Sequence, residues 1–343
     1  MERVRALEVR HFRRYAYQTF TFPEVGQAFV GPNAVGKTTL LEALHKVAIL
    51  RGFGKENELL QWGQCAYRLR AQLSSGWVEV QYEKGQGTRV IWQGQEIRPL
   101  SEWIGRLPVV VLRPTDTEWI EGPAALRRRW ADRLLSQLSP AYLGALTRYQ
   151  QALAQRNALL AQNPSADSLH AWERLLMQEG LLLQRQRLQL AQALEAPLQA
   201  FYSELGPEKP YLRYRLLVEP SEEAWQKAWE QWRPLERRRG HTLLGPHTED
   251  FLLSLDDKPA RGYTSEGQKK SLLIALKWAE TIHIGQRHHP PLLLLDDIGE
   301  KLDSQRLQAV GRLTRLASQT FLTDTDPQRV RAAFPDLPLC LLK

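Results

Sequence analysis

Residues 31–39 read GPNAVGKTT, which fits the spacing G-x-x-x-x-G-K-[ST]. In that pattern a strand turns sharply into a helix, and successive backbone N–H groups wrap the phosphates of a nucleotide. Gly31 and Gly36 let the chain curl, with Pro32, Asn33, Ala34 and Val35 as the loop between them. Lys37 sets a point charge against the outer phosphates, and Thr38 is a candidate Mg²⁺ ligand. Thr39 continues into a helix whose N-terminal dipole adds to the grip. The preceding QAFV supplies the strand and KTTLLEALHKVAIL the helix, so the chain is expected to be an α/β protein.

A second element is PLLLLDDIGEKLD at 291–303. Four consecutive leucines read as a buried parallel strand whose C-terminal end presents Asp296 and Asp297, at the edge where α/β sheets bind ligands. Asp296 suits the water shell of Mg²⁺. Asp297 is placed to orient or deprotonate the water that attacks a γ-phosphate, and the pair joins Lys37 as candidate catalytic groups. A third element, YTSEGQKKSLLIALKWAE at 263–280, has a turn with Ser265 and Gly267 ahead of an apolar helix. Ser265 at the N-cap makes a second phosphate cradle. One nucleotide does not need two cradles, and the economical reading is ATP sandwiched between two copies of the chain.

The rest of the chain organises around these elements. RALEVRHF and YQTFTFPE alternate at period two, YRLRAQLSSGWVEVQYEKGQGTRVIWQGQEI suggests a small antiparallel sheet, and LPVVVLRP a buried strand. From residue 123 long Leu, Ala, Gln and Arg segments at helical spacing take over, with breaks expected near NPSADS and at EAPLQ. Strands are expected to resume at YLRYRLLVE, a helix at SEEAWQKAWEQW, and strand and turn at DFLLSLDDKPARGY. The expected division is 1–122 with 233–343 as one discontinuous domain and 123–232 as a mainly helical insertion.

With 343 residues, 43% of them apolar, there is enough to bury a core in each of two domains. The formal charge of +8 comes mostly from arginine and suits an anionic polymer as partner. Cys65 and Cys340 are far apart in sequence and form no ligand cluster. A charged N-terminus and the lack of a long apolar run point to a cytoplasmic protein with no membrane association.

Taken together these segments resemble the ABC-type ATPase heads of the SMC-like family, and within it the RecF family of bacterial recombination mediators. The resemblance covers most of the chain. It includes FRRY at 12–15, VVVLRPTDTEWIEGPAALRRRWAD at 109–132, LTRYQQALAQRNALL at 146–160, GPHTED at 245–250, TSEGQKKSLLIALK at 264–277 and LLLLDDIGEKLD at 292–303. It implies an ABC-type P-loop ATPase head with mixed β-sheets and an inserted mainly helical domain, using ATP and Mg²⁺. It also implies that Ser265, Gly267 and Gln268 act in trans on the partner copy's ATP, with Asp303 in a loop that crosses the dimer interface. Asp116 in RPTD falls where such proteins sense the γ-phosphate, and TDTD at 323–326 where they carry a switch. The chain departs from the pattern at Glu266 in the signature and at Glu300 in the interface loop.

The implied activity is ATP-dependent DNA binding in recombinational repair near single-strand gaps, with RecR and RecO, in placing RecA. Most ABC heads carry Glu where this chain has Asp297. A carboxylate one methylene shorter stands back from the attacking water, and about 1 Å of misplacement costs of order a hundredfold in rate. Hydrolysis is therefore expected to be slow and DNA-stimulated, serving as a timer on an ATP-dependent homodimer. The alternatives are the ATPase subunit of a membrane transporter and a scaffold that binds nucleotide without turnover.

Sequence-independent contacts to duplex or junction DNA would come from exposed cations. The candidates are Arg127, Arg128 and Arg129, then Arg237, Arg238 and Arg239, then Lys269 and Lys270. Trp225, Trp229 and Trp232 recur at helical spacing, which favours core or interface over base stacking. His247 in GPHTED carries no role that can be derived from sequence.

Overall fold

The computed structural model describes residues 2–162, 166–299 and 302–342. It divides into two compact units: 1–117 with 200–207 and 265–343, and 118–199 with 208–264.

The first unit holds two sheets. Strands β1 (Val4–Phe12), β2 (Tyr15–Thr21), β4 (Ala66–Leu73), β5 (Trp77–Glu83), β6 (Gly87–Trp92) and β7 (Gln95–Glu96) form an antiparallel sheet in the order β2-β1-β4-β5-β6-β7. The parallel sheet contains β3 (Gly26–Val30), β8 (Val109–Leu112), β12 (Leu292–Asp296), β13 (Gln319–Asp324) and β14 (Leu339–Leu341), in the order β14-β3-β13-β12-β8. Helix α1 (Lys37–Ile49) is buried along its length except at Thr38, and its Leu40, Leu41, Leu44 and Val47 join one core with residues of both sheets. Of the polar residues it also buries, Glu42 is partnered by Arg13 and Lys46 by Glu56, as burial of charge requires. Short α2 (Glu56–Leu59) follows it. The unit is completed by α8 (Glu266–Arg287), α9 (Ser304–Leu313) and α10 (Pro327–Ala333). All five residues of β12 are buried, as the leucine run predicts.

The second unit contains α3 (Glu118–Glu121), α4 (Ala124–Leu138), α5 (Pro140–Leu160), most of α6 (Ala166–Tyr202), α7 (Glu222–Arg239) and a three-stranded sheet. The sheet runs β11 (Lys258–Pro259), β10 (Asp250–Leu255), β9 (Pro210–Arg215). Because β10 pairs antiparallel with β9, residues 233–264 fall in this unit, where the sequence had suggested a return to the first domain at 233. The break expected at EAPLQ is absent, since α6 runs through Pro197. A proline inside a helix costs ~3 kcal/mol, and the buried Leu194, Leu198, Phe201 and Tyr202 on either side offset it. The break expected near NPSADS involves Asn163, Pro164 and Ser165, which lie outside the described residues.

Candidate functional site

The phosphate loop leaves β3 and enters α1 with Ala34 at φ 65° and Gly36 at φ 105°. Gly36 is needed twice over. A side chain there would be strained, and its Cβ would stand 2.5 Å from the Tyr15 hydroxyl and 2.8 Å from Cδ of Arg14. Tyr15 donates to the Gly36 carbonyl at 3.2 Å. Arg14 and Tyr15 thus brace the loop from the β1–β2 turn, a role the sequence signals only as the FRRY segment.

Helix α1 has no side-chain cap and no acid in its first turn, so its N-terminal N–H groups are open to an anion. Lys37 is buried and folds back onto the loop, donating to the carbonyls of Gly31 at 2.6 Å and Pro32 at 2.9 Å.

Asp296, at the end of β12, accepts at one oxygen from the hydroxyls of Thr38 at 2.9 Å and Thr323 at 2.8 Å. Burial pushes its carboxyl above the usual carboxylate range, against the two threonine bonds that favour the charged form. This hard oxygen set at the mouth of a phosphate loop fits Mg²⁺, which keeps most of its waters and takes one or two protein ligands beside the substrate phosphates. Among the described residues no cluster of three or more His, Cys, Asp or Glu offers a self-sufficient metal cage. Asp297 adopts φ 46° and donates its N–H to the Thr323 hydroxyl at 2.9 Å, so Thr323 ties the two aspartates together.

Asp116 lies in a 3-10 turn, Pro114–Thr117, and accepts from the Arg113 backbone N–H at 3.0 Å and its guanidinium at 3.3 Å. Arg113 itself covers the Phe53 ring. In the 323–326 segment the buried Asp324 is paired with Arg329, and a Cβ on Gly299 would collide with both.

Ser265 is exposed and caps α8, accepting the Gln268 N–H at 3.2 Å while the Gln268 side chain accepts the Ser265 N–H at 2.8 Å. Asp303 caps α9 through the Arg306 N–H at 2.9 Å and pairs with its guanidinium. Arg306 also donates to the buried Ser271 hydroxyl at 2.9 Å, and one of its terminal nitrogens lies 3.1 Å from where a Cβ of Gly267 would stand. Arg306, a residue that no sequence motif singles out, thus ties Asp303 to Ser271 and lies against Gly267, while Ser265 and Gln268 cap α8 through each other. Glu300, the departure in the interface loop, lies outside the described residues.

The candidate DNA cations separate sharply. Arg127 is buried, chelating Asp250 at 2.8 and 2.9 Å and donating to three carbonyls of residues 119–122. This removes it from any DNA-facing surface, because a desolvated guanidinium with all three nitrogens already bonded inside the fold is not available to a phosphate. Arg128 is half-buried and donates to the Glu249 carbonyl at 2.7 Å. Arg129, Arg238 and Arg239 are exposed, Arg237 half-buried, and Lys269 is paired with Glu266. Lys270 lines a cavity of about 230 Å³ with Arg113, Leu273, Ile298 and Leu302. Trp225 and Trp229 are core residues, whereas Trp232 is 39% exposed.

The QRN and GPH segments, 90 residues apart in sequence, meet in the second unit. Arg156, fully buried, donates to Thr242 at 2.8 Å and pairs with Glu173 and Glu236. Thr242 donates its backbone N–H and its hydroxyl to the Asn157 side chain. Tyr149 bonds Nδ1 of His247 at 2.6 Å, and Nε2 of His247 contacts the Thr242 carbonyl at 3.1 Å. That carbonyl can only accept, so His247 carries its proton on Nε2. Burial lowers its pKa to about 4. His247 is a neutral strut in this network.

A phosphate loop at the C-terminal end of β3, an aspartate pair at the end of β12 with β13 between the two strands, and the capped helix α8 define an ABC-type ATPase head. The SMC head domain of Pyrococcus furiosus shares this fold, at 15% identity and TM-score 0.54, over 97% of this chain and 92% of that one. The chain belongs to the family of the DNA replication and repair protein RecF. It is 36% identical over 348 residues to that protein of Synechococcus sp. (strain JA-3-3Ab), covering 94% of this chain and 91% of the relative. The solved structure of the recombination mediator protein RecF with ATP, of the RecFOR pathway, matches with TM-score 0.87 and 26% identity, over 95% of this chain and 94% of that one. No family model matches the chain.

Proposed function

We propose that this protein is an ATP-dependent DNA-binding protein of recombinational repair, in which Mg²⁺ and ATP close two copies around a nucleotide and slow hydrolysis reopens them. The observation that carries the reading is the convergence of Thr38 and Thr323 on one oxygen of Asp296, beside an uncapped helix N-terminus. Gly31 to Thr39 hold the phosphates, with Lys37 moving from the loop carbonyls to the outer phosphates. Thr38 and Asp296 would hold Mg²⁺, which would neutralise charge on the phosphate oxygens. Asp297 orients the attacking water, and its short side chain makes turnover slow.

Ser265 is exposed and its cap bonds stay within its own turn, which supports service to a partner copy's ATP. Asp303 would cross the interface and Asp116 would respond to the γ-phosphate. Membership of the RecF family supports DNA, RecO and RecR as partners in the loading of RecA.

Sedimentation of the native chain and Ser265→Arg, without nucleotide, with ADP and with ATP, tests the closure. A dimer only with ATP, lost in Ser265→Arg, is expected. A monomer in every condition would overturn it. Phosphate release with and without DNA, against Asp297→Asn, tests turnover: a slow rate that DNA raises and Asp297→Asn abolishes is expected, and equal negligible rates would leave a binding scaffold.

A further inference from the structure

Strand β9 lies at an edge of its three-stranded sheet. Its Pro210, Leu212 and Tyr214 are buried, opposite Leu255, Leu253 and Phe251 of β10. The alternate residues Tyr211, Arg213 and Arg215 take the other face, with Lys209 immediately ahead of them. All three cations are exposed. Lys209 and Arg213 both lie over the Tyr211 ring, at 5.5 and 5.9 Å from its centroid, so one aromatic holds two charges at a set spacing.

Among the described residues none of the three has an acid partner within ion-pair distance. The acids nearest in register are otherwise engaged. Asp250, opposite Arg215, is chelated by Arg127, and the Asp256 carboxylate accepts the Lys209 backbone N–H at 2.9 Å. Strand arginines in the other unit are of both kinds. Among the described residues Arg5 and Arg70 also lack an ion pair, though Arg70 lies over the Trp77 ring and opposite Glu8 and Glu79 in the ladder, and others are neutralised. Arg10 and Arg68 pair with Glu8, and Arg89 with Glu83. Opposite Arg213 and Tyr211 stand only Leu252, which is 41% exposed, and Ser254.

Successive outward residues on a strand stand about 7 Å apart, so Arg213 and Arg215 present a short row of like charge with no internal compensation. Such a row is unfavourable alone and complementary to a regular polyanion. We infer that the outward face of β9, through Lys209, Arg213 and Arg215, is a contact surface for the sugar–phosphate backbone of DNA. It carries no acceptor array for reading base edges, so the contact is sequence-independent. This rests on the DNA-binding reading above and assigns it a surface that neither arginine run supplies.

The test is fluorescence anisotropy of a short labelled duplex across a salt series, with ATP present. The variants are Lys209→Ala/Arg213→Ala/Arg215→Ala and the charge-conserving Arg213→Lys/Arg215→Lys. Each lost phosphate contact removes about 0.9 from the slope of log K against log salt, so the triple variant should lose roughly 2 to 3 of that slope and bind at least ~10-fold more weakly. The lysine pair should keep the slope. A triple variant with native affinity and slope would overturn the assignment. So would a variant that keeps DNA but loses binding to poly-glutamate, which would give the face to an acidic protein. A native chain that binds no duplex would instead sink the DNA-binding reading itself.

Discussion

Arg306 donates through Nε to the Ser271 hydroxyl at 2.9 Å, so the start of α9 is pinned to the early turns of α8. Because Arg306 also holds Asp303, the proposed interface loop is tied to the helix that follows the proposed signature turn. Arg306→Ala should leave the affinity of the monomer for ATP within about twofold. It should weaken ATP-dependent dimerisation by roughly tenfold, the worth of about one charged hydrogen bond. Sedimentation beside a nucleotide titration separates the two effects. Equal loss in both would mean that Arg306 supports the fold and not the interface.

Thr323 receives the Asp297 N–H and donates to the Asp296 carboxylate, so it ties that carboxylate to the backbone that carries Asp297. Thr323→Ala should reduce phosphate release by one to two orders of magnitude, consistent with the cost of about 1 Å of misplacement. Binding of ADP, which does not depend on the attacking water, should change little. Single-turnover kinetics with an ADP titration would check this, and unchanged turnover would remove Thr323 from the site.

Arg127 and Asp250 form a buried, bidentate pair, and removing one partner strands the other charge. Arg127→Ala should cost about 3–5 kcal/mol of stability. Arg238→Ala/Arg239→Ala, on exposed positions, should cost less than ~0.5 kcal/mol. Urea unfolding of the two variants would show the contrast, and a small effect at Arg127 would contradict its buried role.

His247 and His283 each have a pKa held down to about 4 by burial. An unfolded histidine titrates near 6.5, so below that pH the unfolded chain takes up protons that the folded chain refuses. The stability these residues allow is complete above about pH 6.5 and falls as the pH drops towards 4. His247→Gln should flatten the dependence in that window by one proton, about 1.4 kcal/mol per pH unit. Urea midpoints at several pH values would measure it, and an unchanged slope would mean that His247 titrates normally in the fold.

The phosphate loop, the all-leucine strand and the cap at Ser265 were legible in the sequence because each depends on a few consecutive residues. A glycine before a lysine and threonine at a helix start has little conformational choice, and four leucines in a row need cover on both faces. The long helices were legible from their period, but not the passage of α6 through Pro197, where packing outweighs a local preference.

What the sequence by itself determined is the chemistry at the ends of β3 and β12 and the α/β class that follows from it. Only the tertiary structure decided which cations are free. Three consecutive arginines look alike in one dimension, yet a helix turns about 100° per residue. Arg127 is therefore carried inward to Asp250, 123 positions away, while Arg129 faces solvent. Whether a strand arginine is neutralised depends likewise on the residue across the ladder, and for Arg213 that residue is Leu252. Burial and charge pairing are set by neighbours distant in the chain, which is why the fold had to bring them together before either could be read.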